Sequence, residues 1–201
     1  VFEKVHSAVI GLAEAGLIHG LRVDHVDGLA DPAAYLERLA ARLPGVPVWV
    51  EKILMPGERL PDWPVAGTTG YEAAAMIGRM LTDPDGFAAL DGLWRGATGI
   101  EGDFHDAVAA AKREVLTDEL AAELRRLEEL AAAAAEAAGF LAGPEMLREA
   151  LTELLVAFPR YRSYVTGAAS SEDAALWRAT AAQAAGNVRS GEVIDWIAET
   201  V

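Results

Sequence analysis

Apolar residues in the first third of the chain alternate between helical spacing and short continuous runs. Residues 2–16 repeat them at the spacing of an amphipathic helix. A compact apolar run then predicts a buried strand near Leu21–Val23, and a β-branched run predicts a second strand over Val46–Val50. Between them, Asp31–Pro32 is typical of a helix start, with Asp as N-cap and Pro in the first turn. Helix, strand, helix and strand of this size form the unit from which parallel sheets are built.

The segment after the second predicted strand has a different character. Proline and glycine punctuate Leu54–Thr69, which predicts a long ordered loop or lid with no regular element. Glu72–Leu81 then has the pattern of a helix, and Asp83–Gly86 is typical of a turn. The α/β pattern is therefore confined to the first third of the chain.

Helical patterns fill the remainder. Apolar residues keep helical spacing from Phe104 through an alanine-rich stretch ending at Ala138, another helix is predicted over 143–158, and one or two more follow from about Ser171. We therefore predict an α/β fold: a partial TIM-barrel segment with about two parallel strands over 1–72, followed by a mainly helical subdomain over 73–201. A complete barrel needs eight strands in roughly 250 residues, so this chain cannot close a barrel alone.

Charge and composition exclude several kinds of partner. The 201 residues carry 17 basic and 31 acidic side chains, a net charge of −14, which disfavours nucleic acid and anionic membranes. The sequence has no cysteine for disulfides or thiolate metal sites, and no metal-ligand spacing links His6, His19 and His105. We expect no cofactor, no metal, no membrane span and a reducing cytoplasm. Because a helical pattern is already running at Phe2, we also expect the chain to be an internal part of a longer protein.

Both predicted strands end in an acid. Asp24 follows the Leu21–Val23 run, and Glu51 follows Val46–Val50. Parallel neighbours joined by a crossover helix would set the two carboxylates side by side at one edge of the sheet. Because neighbouring strands lie about 4.8 Å apart, acids at equivalent strand ends would lie roughly 5–5.5 Å apart, the separation associated with retaining glycosidases.

The surroundings of the two acids predict different pKa values. Arg22 lies on the same strand face as Asp24, because side chains alternate with a period of two. A guanidinium beside a carboxylate favours the ionised acid, which is the form that a nucleophile needs. Glu51 follows the bulky apolar run Val48–Val50, where desolvation is expected to raise its pKa toward the range of a general acid.

Each of these residues also has a structural interpretation. Arg22 and Asp24 at a strand end could form a structural ion pair, and Glu51 with Lys52 could be ordinary surface charge. Asp27, in the turn after Asp24, is expected to hold that turn by accepting backbone hydrogen bonds. It stays outside the predicted catalytic set.

Four stretches of the chain carry a resemblance to a known family. Gly20–Leu29 resembles the nucleophile motif of the α-amylase superfamily, in the form typical of maltooligosyltrehalose synthases. Val50–Leu54 and the later Gly67–Tyr71 resemble the acid/base segment of that family and the loop after it. Phe158–Arg162 also resembles the family. The first motif alone indicates only the superfamily, whereas the combination is much more specific.

The resemblance implies an intramolecular transglucosylase, an isomerase. Such an enzyme converts the reducing-end α-1,4 linkage of a maltooligosaccharide into an α,α-1,1 linkage, with Asp24 as nucleophile and Glu51 as acid and base. The superfamily also uses a third acid, an Asp after a His on a later strand, and an earlier Asn-His motif; neither occurs in this chain. We therefore expect maltooligosaccharide and the remainder of the parent chain as partners, and no activity from this chain alone.

Five further residues are predicted to bind substrate. Arg22 accompanies Asp24, and His25 would face the sugar or pack the loop. Lys52 has two interpretations, a substrate contact or a structural ion pair with a nearby acid. Trp63 could stack on a sugar face or anchor its loop in the core. Tyr71 is assigned to the site by the resemblance only.

Two other functions remain open at this point. One is a different α-glucan hydrolase or transferase of the same superfamily, which the product would distinguish. The other is a non-catalytic helical interaction module that retains an enzyme-like strand pair, in which Asp24 and Glu51 could be replaced without effect.

Overall fold

The computed structural model of the chain describes residues 1–200, which form two compact units. The first unit comprises Val1–Gly92 and Arg160–Tyr164. The second comprises Leu93–Pro159 and the residues from Val165 onward.

The first unit combines a small sheet with helices. In chain order its elements are α1 (Phe2–Glu14), β1 (Leu21–Val23), α2 (Pro32–Arg42), β2 (Val48–Val50), β3 (Gly67–Thr68), α3 (Tyr71–Met80) and the start of α4 (Pro84–Thr98). A 3-10 turn over Val26–Gly28 follows β1. The side chain of Asp31 accepts a hydrogen bond from the backbone N–H of Ala34 at 2.9 Å, which confirms the predicted start of α2.

The sheet is parallel throughout, in the order β1-β2-β3. Val23 lies opposite Val50, and Val50 lies opposite Thr68. This confirms the two predicted neighbouring strands and adds a third. The expectation of a segment without regular elements over 54–69 is therefore wrong at its end, where the backbone N–H of Thr69 donates to the carbonyl of Val50 at 3.0 Å. A strand of two residues carries no alternation that a sequence pattern could reveal.

The core of the first unit lies between the sheet and the helices that cover it. Its buried side chains come from α1, α2, β2 and the loops: Ile10, Val26, Leu36, Leu39, Leu43, Val48, Val50 and Trp63. Alternation along β2 buries Val48 and Val50, and leaves Trp49 between them exposed. The buried valines hold the end of β2, and with it the position of Glu51.

The second unit is helical. After α4 its elements are α5 (Phe104–Thr117), α6 (Ala121–Ala138), α7 (Pro144–Ala157), α8 (Ser171–Ala184) and α9 (Gly191–Thr200). Their buried faces form one core from Leu116, Leu124, Leu147, Ala150, Leu151, Leu154, Ala181, Ala184, Val193, Ile194 and Ile197. The helices predicted over 143–158 and from Ser171 are confirmed.

Two predicted boundaries differ from the structure. Asp83–Gly86, predicted as a turn, contains the start of α4, because Pro84 takes the first helical position and the Asp83 side chain accepts from the N–H of Gly86. The helical spacing of apolar residues continues from Phe104 to Ala138, but the structure has two helices there, because α5 ends at Thr117 and α6 begins at Ala121. None of the helices within residues 1–200 is long and apolar enough to cross a lipid bilayer.

Candidate active site

Asp24 and Glu51 follow directly on β1 and β2, at the same edge of the sheet. The strand register pairs Val23 with Val50, so the two acids stand at equivalent positions. The backbone N–H of Glu51 donates to the carbonyl of Val23 at 2.8 Å, which extends the pairing of the two strands to Glu51. The predicted juxtaposition of the two carboxylates is therefore present.

Arg22 bridges the two acids. Its Nη2 lies 2.6 Å from Oδ1 of Asp24 and 3.6 Å from Oε1 of Glu51. Oδ1 of Asp24 and Oε1 of Glu51 can therefore be no farther apart than the sum of these two distances. That limit is shorter than the roughly 6.5–9.5 Å of inverting glycosidases and compatible with the roughly 5–5.5 Å of retaining ones. The Asp24 side chain is 67% exposed and that of Glu51 only 25%, so both can be reached from solvent.

Glu51 is held ionised by its hydrogen bonds. The backbone N–H of His25 donates to its Oε2 at 2.9 Å and lowers the pKa of Glu51 more than any other neighbour. The Tyr71 hydroxyl, which donates to Oε1 at 3.2 Å, and the Arg22 guanidinium lower that pKa further, while partial burial acts in the opposite direction. The expectation of a raised pKa is therefore wrong for this chain, because donors to the carboxylate outweigh its desolvation.

His25 has a left-handed backbone, with φ of 47°, and its N–H donates to Glu51. Its exposed ring stands edge-on to the ring of Tyr161, with centroids 6.1 Å apart. These two rings, Asp27, Glu51 and Ile53 line one open pocket. The pocket therefore brings the His25 ring and the Glu51 side chain to one cavity.

Lys52 is not among the residues that line this pocket and lies in a buried charge cluster. Its ammonium lies 2.9 Å from Oε1 of Glu58 and 3.5 Å from Oδ2 of Asp27, and its side chain is fully buried. This placement matches the structural ion pair that the sequence left open for Lys52. The carboxylate of Asp27 pairs with this ammonium and accepts from the hydroxyl of Tyr164, in place of the backbone donors expected of it.

Trp63 is also buried, at 8% exposure, and its indole packs edge-on against Tyr164 with centroids 5.1 Å apart. That placement matches the loop anchor and leaves no ring face open for a sugar. Tyr71, which was assigned to the site by the resemblance only, donates its hydroxyl to Glu51. Of the five predicted binding residues, the structure gathers Arg22, His25 and Tyr71 around the two acids.

The segment Arg160–Tyr164 belongs to the site, and no role for it was derived from the sequence. Arg162 donates from Nη1 to the backbone carbonyls of Asp27 at 3.0 Å and Leu29 at 2.6 Å. Tyr161 lines the pocket, and the Tyr164 hydroxyl donates to Asp27, another residue of its lining. The only sequence signal was the family resemblance of Phe158–Arg162, because hydrogen bonds across more than a hundred residues leave no local pattern.

The chemistry available to this arrangement is acid, base and nucleophilic work by carboxylates. Within residues 1–200, no group of three or more His, Asp and Glu side chains is placed to bind a metal ion. Two carboxylates around one exposed guanidinium, with aromatic rings at the side, suit a neutral polar ligand such as a sugar.

Comparison with known proteins identifies relatives for most of the chain. No model of a protein family matches it. A protein of Mycobacterium tuberculosis assigned as a maltooligosyl trehalose synthase is 39% identical over 178 residues, which is 88% of this chain and 23% of that protein. The structure of maltooligosyltrehalose synthase from Arthrobacter ramosus matches 98% of this chain and 25% of its own, with 35% identity and a TM-score of 0.81.

A more distant likeness, of fold alone, is to the crystal structure of a hypothetical maltooligosyl trehalose synthase from Sulfolobus tokodaii. That match has 23% identity and a TM-score of 0.72, and covers 97% of this chain and 24% of that one. The chain thus spans about a quarter of the length of the relatives it matches. Over that quarter, the chain is similar in sequence and in fold to maltooligosyltrehalose synthases.

Proposed function

We propose that the chain supplies the nucleophile and the acid/base of an intramolecular transglucosylase. The reaction converts the reducing-end α-1,4 linkage of a maltooligosaccharide into an α,α-1,1 linkage, giving maltooligosyltrehalose. The observation that carries the proposal is the pair of acids at level strand ends, bridged by Arg22 and closer together than the carboxylates of inverting enzymes. The family of the homologues supports it independently.

In this proposal Asp24 attacks the anomeric carbon of the penultimate glucose. Glu51 gives a proton to the departing glycosidic oxygen, and a glycosyl-enzyme ester forms on Asp24. The released glucose turns around, Glu51 takes the proton from its anomeric hydroxyl, and that oxygen displaces Asp24. Arg22, whose Nη2 lies 2.6 Å from Oδ1 of Asp24, orients the nucleophile before the attack.

Glu51 needs a proton for the first step, and its pKa in this chain is lowered. The proposal therefore requires the bound sugar and the rest of the active site to desolvate Glu51 or to bring a further acid near it. The third acid of the superfamily, which has no counterpart in this sequence, has the right charge for that purpose. We propose that the three parallel strands form part of a TIM barrel whose other strands carry that acid.

The same enclosure would keep water from the ester. Hydrolysis of the glycosyl-enzyme competes with return of the glucose, so the site must exclude water between the two steps. We propose a cytoplasmic protein whose partners are maltooligosaccharides and the other parts of its own active site. The net charge of −14 suits a neutral substrate better than a phosphorylated one.

The test is replacement of Asp24 by Asn in the protein at the full length that its gene encodes. Incubated with maltopentaose, the unmodified protein should remove reducing ends without releasing new ones. The rate for Asp24→Asn should fall by more than about 10³-fold, because covalent catalysis is lost, while oligosaccharide binding by calorimetry is kept. Asp62→Asn, which alters an exposed acid, is the matched control.

Three results would refute the proposal. Reducing ends that increase would indicate an α-glucan hydrolase, and turnover by Asp24→Asn equal to the Asp62→Asn control would remove Asp24 from the nucleophile role. If the protein does not convert maltopentaose, and neither Asp24→Asn nor Asp62→Asn changes any measured property, the chain is a non-catalytic module.

A further inference from the structure

A cluster of buried charges lies behind the two acids. The buried lysine cluster consists of Lys52, Asp27, Glu58 and Tyr164. The Lys52 side chain is 0% exposed, that of Glu58 is 2% and that of Asp27 is 9%. The Lys52 ammonium contacts the carboxylates of Asp27 and Glu58 and lies 5.9 Å from the centroid of the Tyr164 ring. The Tyr164 hydroxyl donates to Asp27.

The cluster joins the backbone segments that carry the two acids. Lys52 is the residue after Glu51, and its side chain is fully buried whereas that of Glu51 is partly exposed. Asp27 lies three residues after Asp24, in the 3-10 turn that follows it. Glu58 lies in the loop after β2, where its other oxygen accepts from the backbone N–H of Met55 at 2.9 Å. One ammonium therefore ties the turn after Asp24 and the loop after Glu51 to the same point.

We propose that Lys52 is a positioning residue, which sets the distance between Asp24 and Glu51 by tying together the turn at Asp27 and the loop at Glu58. This inference rests on the proposed function, because it concerns how that reaction keeps its two carboxylates in register. Lys52 does not touch the sugar in this role. It acts through Glu51, its neighbour in the chain.

Because these side chains are buried, the link between the turn at Asp27 and the loop at Glu58 depends on the positive charge of Lys52. Without the ammonium, two carboxylates would remain buried with no cation between them. They would either repel each other or take up protons, and in both cases the turn or the loop would move. Burial and the neighbouring Asp27 raise the pKa of Tyr164, so its hydroxyl keeps its proton and continues to donate to Asp27.

The two half-reactions differ in how much they depend on this positioning. In the transfer step Glu51 must meet one hydroxyl of a glucose held in a fixed pose, for which a misplacement of about 1 Å can cost 10²-fold. Water is small and reorients freely, so hydrolysis of the same ester tolerates a displaced base. A shift of Glu51 should therefore lower the ratio of transfer to hydrolysis, a ratio that does not depend on how much of the enzyme is folded.

The experiment compares Lys52→Met with Lys4→Met in the full-length protein. Both remove one lysine charge, and Lys4 is exposed on α1. With maltopentaose, Lys52→Met should lower kcat by about 10²-fold with little change in KM, and should shift the products from the non-reducing oligosaccharide toward free glucose. Lys4→Met should leave kcat, KM and the product ratio unchanged. Lys52→Arg, which keeps the charge, should recover part of the ratio.

A smaller change covers the case in which Lys52→Met does not fold. Tyr164→Phe removes only the hydroxyl that donates to Asp27, and should lower the transfer ratio in the same direction by a smaller factor. An unchanged product ratio in folded Lys52→Met, or in Tyr164→Phe if that variant alone folds, overturns the positioning role. If only the positioning role is wrong, the unmodified protein still converts maltopentaose to the non-reducing oligosaccharide. If the proposed function is wrong, the unmodified protein is inactive or only hydrolyses maltopentaose.

Discussion

Replacing Gly28 with alanine is expected to displace the imidazole of His25 from the pocket beside Glu51. A Cβ built on Gly28 would lie 2.4 Å from Cδ2 and 2.6 Å from Nε2 of the ring. Carbon atoms in contact are about 3.5–4.0 Å apart, so the ring must retreat by roughly 1 Å or more. The His25 ring is exposed and can rotate, so we expect the free energy of unfolding to fall by no more than about 1.5 kcal/mol.

The effect on the reaction should be larger than the effect on stability. Misplacing a group by about 1 Å in a site that holds its substrate in one pose can cost 10²-fold, which corresponds to about 2.7 kcal/mol in transition-state free energy. We therefore expect kcat/KM with maltopentaose to fall by about 10²-fold in Gly28→Ala. Steady-state kinetics on the full-length protein measures this, and urea unfolding measures the stability.

Gly11→Ala is the matched control for this substitution. Gly11 is exposed in α1, and a Cβ there meets nothing within 4 Å. The alanine should leave kcat/KM unchanged and stabilise the helix by up to about 1 kcal/mol. If Gly28→Ala were as active as Gly11→Ala, the position of the His25 ring would not matter to turnover, and the reasoning from this close contact would be refuted.

Two further predictions concern the electrostatics of the site and the helical core. Tyr71→Phe removes a donor to Glu51 and should move its pKa up toward the ordinary value, as a carboxyl NMR titration would show. A carboxyl whose pKa is lowered by folding stabilises the protein at pH values above its unfolded-state pKa, and this stabilisation is lost as the pH falls through the folded-state pKa. The stability that the protein loses in acid should therefore be smaller in Tyr71→Phe than in the unmodified protein. Ile194→Ala, at a fully buried site, should cost about 2–5 kcal/mol in calorimetric unfolding. Leu141→Ala, at a position 96% exposed, should stay within about 0.5 kcal/mol, and equal effects would contradict the assignment of this core.

The pair of acids was predictable because local pattern determines it. A short apolar run that ends in an acid appears twice, separated by a capped helix, and parallel pairing with a crossover helix then places Asp24 beside Glu51. The lowered pKa of Glu51 was not predictable in the same way. It depends on one backbone N–H of His25, which donates to the carboxylate of a residue 26 positions further along the chain, and nothing in the composition of the motif specifies this.

The burial of Lys52 could not be predicted from the residues next to it in the chain. A lysine after Glu51 looks the same in sequence whether it reaches solvent or turns inward. Its burial depends on Glu58 and on Tyr164, which is more than a hundred residues away in the chain. The third strand escaped prediction for the opposite reason, since Gly67–Thr68 is too short to carry any pattern.

The hydrogen bond from Arg162 to the carbonyl of Asp27 joins residues 135 positions apart. At roughly 5–20 residues per second, a ribosome would take on the order of ten seconds to synthesise the intervening chain. During that interval the turn after β1 has neither its Arg162 donor nor the Tyr164 hydroxyl, and its carbonyls must be solvated by water. The first unit therefore cannot finish folding co-translationally until residue 164 has emerged, however early its strands pair.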